Sequence, residues 1–174
     1  MTESEKKRIL VVDDEADIRN FLRMALTEAG FEVVTASDGL EAMEKVKEQR
    51  PDLISLDLVM PKRSGARFYR EMTKSKEYSC IPVIIVTGHA RDDLGKSDLK
   101  ELTMSGPGIY LEKPVRPDNY VAAVKKLLGM DTTEDEKQLA TQVEIQNELK
   151  NIIDSADPNT LQQLKELLSK KSDS

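Results

Sequence analysis

Five polar residues stand at the ends of short apolar runs. Asp13 and Asp14 follow residues 9–12, Asp57 closes 53–57, Thr87 closes 83–87, and Lys113 comes just after 109–111. Each has a plain explanation on its own. Asp13-Asp14-Glu15 fits a helix start, where carboxylates favour the positive end of the dipole. Asp57 fits a loop cap, Thr87 a turn former and Lys113 a solvated cation. Gathered in one place, they make a chemistry. Three converging carboxylates repel one another unless a divalent cation neutralises them, and Mg²⁺ suits a site of few carboxylates, water and phosphate oxygens. An ammonium and a hydroxyl beside them complete a donor set for a phosphoryl group. Such a constellation would hold phosphate on a carboxylate.

What could gather them is a sheet. The runs 9–12, 32–36, 53–57, 83–87 and 109–111 are rich in β-branched residues, and amphipathic stretches of helical length separate them. Residues 15–29 place Ile18, Phe21, Leu22, Ala25 and Leu26 at helical spacing before Gly30. Asp38-Gly39 opens a second helix carrying Leu40, Ala42, Met43 and Val46, which Pro51 forbids from continuing. Further helices are predicted over 65–75, within 92–104, and over 118–128 with Gly129 as the stop. Five alternations of strand and helix imply right-handed crossovers and an α/β, doubly wound parallel sheet. Ligands in such sheets sit beyond the carboxyl ends of the strands, where the five polar residues fall.

Composition narrows the class. The 174 residues carry 26 basic and 32 acidic side chains, with one cysteine and one histidine. Cys80 and His89 cannot make a disulfide or a His/Cys metal site between them. Cys80 reads as small apolar filler at a strand entrance, and His89 as a loop residue beside the site that tunes solvent access rather than taking part in the chemistry. The wholly apolar runs 9–12 and 83–86 are four residues each, too short for a membrane span or a secretory core, so a cytoplasmic location away from membrane is expected.

The motifs Ile9-Leu-Val-Val-Asp-Asp-Glu15, Pro51-Asp-Leu-Ile-Ser-Leu-Asp57 with Met60-Pro61 and Gly65, Pro82-Val-Ile-Ile-Val-Thr87-Gly88, and Tyr110-Leu-Glu-Lys113-Pro114 together resemble the receiver domain of two-component response regulators. The match covers about residues 6–129. The resemblance implies a flavodoxin-like five-stranded sheet in strand order 2-1-3-4-5. It makes Asp57 the phosphoacceptor for a histidine kinase or phosphotransfer protein. It gives Mg²⁺ to Asp14 directly, to Asp13 through water, to Asp57 and to the Val59 carbonyl. Lys113 would pair with the phosphate, Thr87 would move to hydrogen-bond it, and Tyr110 would be the switch aromatic that turns inward with Thr87. A cis Lys113–Pro114 bond is implied as well. The interval between Thr87 and Lys113, with Met104-Ser-Gly-Pro-Gly108, is longer than the family norm, which puts the usual output face in doubt.

Domain organisation follows as a receiver over 1–130 and a helical extension over 131–174. Residues 1–130 carry 22 acidic and 21 basic side chains, whereas 131–174 carry 10 and 5. Thr133 and Glu136 form a capping box. Leu139, Val143, Leu149, Ile152 and Ile153 mark one helix over about 134–153. Asp157-Pro158 opens a second to about 170, striped by Leu161, Leu164, Leu167 and Leu168. An acidic tail is repelled by a phosphate backbone, so no DNA-binding output is expected. Three uses stay open for it: a cap on the receiver, a homodimer contact, or docking of a downstream protein target. The alternatives to phosphorylation are a metal-binding adaptor and an aspartyl-phosphate phosphatase. Dehalogenase-type phosphatases place a second aspartate two residues after the nucleophile, where this sequence has Val59. Beyond its own phosphorylation and dephosphorylation, no enzyme activity is expected.

Overall fold

The computed structural model describes residues 5–58, 60, 65–88, 108–130, 133–155 and 157–171. Strands β1 (Arg8–Val12), β2 (Glu32–Ala36), β3 (Leu53–Leu56), β4 (Val83–Thr87) and β5 (Gly108–Glu112) pair in parallel in the order β2-β1-β3-β4-β5. The described helices are α1 (Ala16–Glu28), α2 (Gly39–Glu48), α3 (Gly65–Lys74), α4 (Pro117–Leu127), α5 (Glu134–Ser155) and α6 (Pro158–Lys171).

Side-chain alternation along the strands builds two cores. Leu10, Val12, Ile54, Leu56, Val83 and Ile85 face one side, where Ala42 and Val46 of α2 and Phe68, Tyr69 and Met72 of α3 cover them. Ile9, Val11, Leu53, Ile84, Val86, Ile109 and Leu111 face the other, beneath Leu22 and Leu26 of α1 and Tyr120, Ala123 and Val124 of α4. Coverage on both faces is why residues 9–12 and 83–86 read as unbroken apolar runs.

Boundaries move slightly from the sequence pattern, for local reasons. β3 stops at Leu56, one residue before Asp57, whose N–H nevertheless still donates to the Val12 carbonyl at 2.9 Å. β5 is longer at both ends than its apolar run, because β4 pairs Val83 with Gly108 and Thr87 with Glu112. Helix α4 begins at Pro117, since proline suits a first helical turn whose N–H would have no partner. Phe21, predicted inward, lies on the flank of α1 at 45% exposure, and Leu22 and Leu26 carry the contact. Cys80 is exposed rather than filling a strand entrance; Ile81 takes that buried place. The helix predicted within 92–104 and residues 104–107 of the longer interval lie outside the described residues, as does His89.

Gly129, at φ 63°, ends α4, a conformation that side chains with a Cβ rarely adopt, and it turns the chain back toward the sheet. The capping box closes as expected: the Thr133 hydroxyl accepts from the Glu136 N–H at 3.2 Å, and Glu136 accepts from the Thr133 N–H at 2.9 Å. The α5 helix then packs along α4 and touches β5. Ala140 and Val143 are buried there, and Val143 joins the second core. Full burial of a valine is worth about 1.5–3 kcal/mol. Lys125–Glu136 and Lys126–Glu144 ion pairs flank the contact. Leu149, predicted on the apolar face, is 53% exposed, and Ile145 is similar at 51%. Among the described residues, no helix is long and apolar enough to cross a membrane.

One pH effect follows from this docking. The Lys125 hydrogen bond, followed by the Thr133 N–H, holds the Glu136 carboxyl below its ordinary value of 4.5. A depressed carboxylate stabilises the docked helix above the unfolded value and loses that contribution as pH falls through the folded one. Protection of the α5 amides, with the intrinsic pH dependence of exchange divided out, is therefore expected to fall in the native chain as pH drops below the ordinary carboxyl value of 4.5. Glu136→Gln should exchange faster at neutral pH and show a flatter acid response.

Candidate functional site

Strand pairing, before any side chain is considered, brings the acids together. Asp13 donates its N–H to Ala36 of β2, and Asp57 donates its own to Val12 of β1, so the two carboxylates leave adjacent strands at the same sheet edge. Both are buried, at 1% and 4% exposure, and Asp14 beside them faces solvent. Oxygens of Asp13, Asp14 and Asp57 all lie within 4.8 Å of one another.

Lys113 crosses from the end of β5 to meet them. Its Nζ lies 2.8 Å from Asp13 Oδ2, 3.2 Å from Asp57 Oδ2 and 3.4 Å from Glu15 Oε1. Burial works to lower the lysine pKa, but the Asp13 hydrogen bond and the Asp57 charge outweigh it, and the net direction is upward. Desolvation dominates at Asp13 and raises its pKa despite the hydrogen bonds from Lys113 and the Glu15 N–H. Among the described residues, Asp13 and Asp57 share the Lys113 ammonium, which Glu15 also approaches, and Asp14 adds a third carboxylate beside them. At an effective dielectric near 20, unit charges about 4 Å apart interact by about 4 kcal/mol. A hard divalent cation on this all-oxygen set would relieve the repulsion among the carboxylates, and the donor chemistry fits Mg²⁺.

The surrounding backbone is tightly specified. Asp13 Oδ1 accepts the Glu15 N–H at 2.9 Å. Arg19 of α1 reaches back so that Nη1 donates to the Asp13 carbonyl at 2.8 Å and to the Asp14 carbonyl at 3.2 Å. Gly65, the first residue of α3, abuts the Asp57 peptide, and the next N–H, from Ala66, donates to the Leu58 carbonyl at 3.3 Å. Sequence reasoning did not find Arg19 or the close approach of Gly65. Arg19 carried no signal beyond lying one helical turn past an acidic triplet, whereas Gly65 appeared only as a motif position.

The structure brings together Asp13, Asp14, Asp57 and Lys113, and adds Glu15 at the rim. Thr87 ends β4 opposite Glu112, which puts its backbone at the same edge. Tyr110 of β5 pairs with Ile85 of β4 and is half-buried against the core under α2 and α3. The Lys113–Pro114 bond is cis, as expected. Val59 lies outside the described residues.

Comparison with known proteins agrees with this geometry. A family model described as the response regulator receiver domain matches residues 9–125. The chain is 38% identical over 128 residues to a probable transcriptional regulator, ycf27, of Cyanophora paradoxa, covering 72% of this chain and 50% of that protein. It is 37% identical over 122 residues to the alkaline phosphatase synthesis transcriptional regulatory protein PhoP of Bacillus subtilis, covering 70% and 48%. The chain thus spans about half the length of the curated relatives it matches. Among solved structures, the chemotaxis protein CheY4 of Vibrio cholerae matches with a TM-score of 0.61 and 30% identity, over 70% of this chain and 98% of that one. The response regulator TrrA of Thermotoga maritima, solved in complex with Mg²⁺-BeF, matches with a TM-score of 0.58 and 37% identity, over 70% and 98%.

Proposed function

This chain belongs to the response regulator receiver domain family, and from that premise we propose that it accepts a phosphoryl group on Asp57 from a histidine kinase or phosphotransfer protein. The observation that carries the reading is the placement of one ammonium between two buried carboxylates, Lys113 Nζ at 2.8 Å from Asp13 and 3.2 Å from Asp57.

In the proposed reaction a carboxylate oxygen of Asp57 attacks phosphorus, the P–O bond forms as the donor's P–N bond breaks, and the leaving imidazole keeps the electron pair and takes a proton. Mg²⁺ held by Asp13, Asp14, Asp57 and the Val59 carbonyl would supply charge neutralisation for the incoming phosphoryl oxygens. Lys113 is already poised at Asp57 and would transfer its hydrogen bond to a phosphoryl oxygen. Burial strengthens that contact, because the surroundings screen it less than water does. A phosphoryl group adds about −1.5 to −2 charges and three strong acceptors. In this reading Thr87 supplies a further hydroxyl and Tyr110 follows it inward, so the change reaches β5.

The output reading rests on the tail. We take residues 1–130 as the receiver and 131–174 as a helical extension that acts through protein contacts in the cytoplasm. An excess of 10 acidic over 5 basic side chains supports a partner other than DNA. The α5 helix packs on α4, with Ala140 and Val143 buried and Glu136 and Glu144 paired to Lys125 and Lys126, while Ile145 and Leu149 are exposed.

Intact mass after incubation with acetyl phosphate tests the chemistry. A single phosphoryl adduct is expected in Mg²⁺ and none in EDTA. Absence of an adduct in both would overturn the reading and favour a metal-binding adaptor.

A further inference from the structure

Resting on that reading of the acidic site, we infer that Arg19 is a positioning residue for the cation. Its guanidinium clamps the loop between β1 and α1, fixing the two adjacent acids through their backbone rather than their side chains.

The hydrogen bonds of this loop leave Arg19 a specific place. The Asp13 N–H is taken by Ala36, and Asp13 Oδ1 by the Glu15 N–H. The Glu15 carbonyl accepts from the Arg19 N–H at 2.9 Å, which closes the first turn of α1. That leaves the carbonyls of Asp13 and Asp14, which precede the helix and have no helical N–H to receive. Arg19 Nη1 reaches both, at 2.8 and 3.2 Å. One planar donor therefore holds two consecutive peptide groups, and those two peptides aim the Asp13 and Asp14 side chains.

Charge and geometry make opposite predictions for this residue, which makes the inference decidable. Arg19 brings a positive charge close to a site for a cation. If it acted by charge alone, its removal would tighten Mg²⁺ binding. If it acts by holding the acids in place, removal must weaken binding, because the two carboxylates then have to be ordered at the moment the cation arrives. Outer-shell groups that orient metal ligands typically change affinity by about 10–100-fold.

The test is calorimetric titration of Mg²⁺ into the full chain and its Arg19→Met, Arg19→Lys and Arg23→Met variants, at a temperature where circular dichroism shows all to be folded. Arg23 is exposed one turn further along α1 and gives the effect of charge alone. Arg19→Met is expected to weaken binding about 10-fold, Arg19→Lys to recover part of that, and Arg23→Met to leave it unchanged or slightly tighter. Equal or tighter binding by Arg19→Met would overturn the inference, as would an Arg19→Lys that recovers nothing. Should Arg19→Met not fold, Arg19→Gln takes its place in the same comparison. Failure of the unmutated chain to bind Mg²⁺ would overturn the site reading itself, and with it the inference, a result distinguishable from a variant that binds as well as the parent.

Discussion

Asp57→Asn is expected to abolish the phosphoryl adduct completely, at any Mg²⁺ or acetyl phosphate concentration, while leaving the fold intact. An amide oxygen is uncharged and far less nucleophilic than a carboxylate oxygen, so no adduct is expected after the change. The neighbouring acids are poor substitutes. Both oxygens of Asp13 are engaged, Oδ1 by the Glu15 N–H and Oδ2 by Lys113 at 2.8 Å, and Asp14 projects toward solvent. The fold persists because Lys113 keeps Asp13 as its partner when the Asp57 charge is removed.

A second readout accompanies the mass measurement. A ligand present at 100 times its dissociation constant stabilises a folded protein by about 2.7 kcal/mol. Thermal melts with and without Mg²⁺ should show such a gain for the native chain and a much smaller one for Asp57→Asn. An adduct of equal size on the variant would sink the assignment of Asp57, whatever the melts show.

Gly65→Ala is expected to be the most disruptive single-methyl change near the site. A Cβ there would lie 1.8 Å from the Asp57 carbonyl oxygen, 2.8 Å from the Asp57 carbonyl carbon and 2.9 Å from Leu58 Cα. All three are backbone atoms, so no side chain can rotate out of the way. Either α3 lifts, with Phe68 and Met72 leaving the core, or the Asp57 peptide swings and carries its carboxylate away from Lys113. Overpacking a tight core typically costs about 1–3 kcal/mol, and a clash with backbone alone belongs at or beyond the upper end. A loss of about 3 kcal/mol would lower the melting temperature by about 10 °C in a domain of this size. Urea unfolding checks the stability and the adduct yield checks the site. Gly88→Ala is the comparison, because a Cβ there meets nothing within 4 Å. Equal stability of the two variants would show that α3 does not press on the Asp57 peptide.

The sheet and most of the site were legible from the residues because the apolar patterning carries them. The short, almost wholly apolar runs 9–12, 53–56 and 83–86, set between stretches of helical spacing, mark strands covered on both faces, and the polar residue after each run marks the edge where a ligand sits. Asp13, Asp14, Asp57 and Lys113 were found in this way. Illegible were the features that depend on how separate elements meet. Ala140 is buried against α4, yet an alanine contributes almost nothing to an apolar pattern. Leu149, which contributes strongly to that pattern, is 53% exposed. The reach of Arg19 depends on a rotamer, and the pressure of Gly65 depends on the angle at which α3 arrives. Neither leaves a trace in residue type alone.

The strand order also sets a calendar. Synthesis proceeds from the N-terminus, and β2, β1 and β3 come from residues 8–56, so three neighbouring strands can assemble before the rest of the sheet exists. Asp13 and Asp57 meet at that stage. Their ammonium partner lies 56 residues beyond Asp57 and cannot arrive until β4 and then β5 have been added to the same growing edge. For that interval Asp13 and Asp57 are without the lysine that pairs with both in the finished protein. Solvent, or a cation borrowed from it, must stand in until the fifth strand closes the edge.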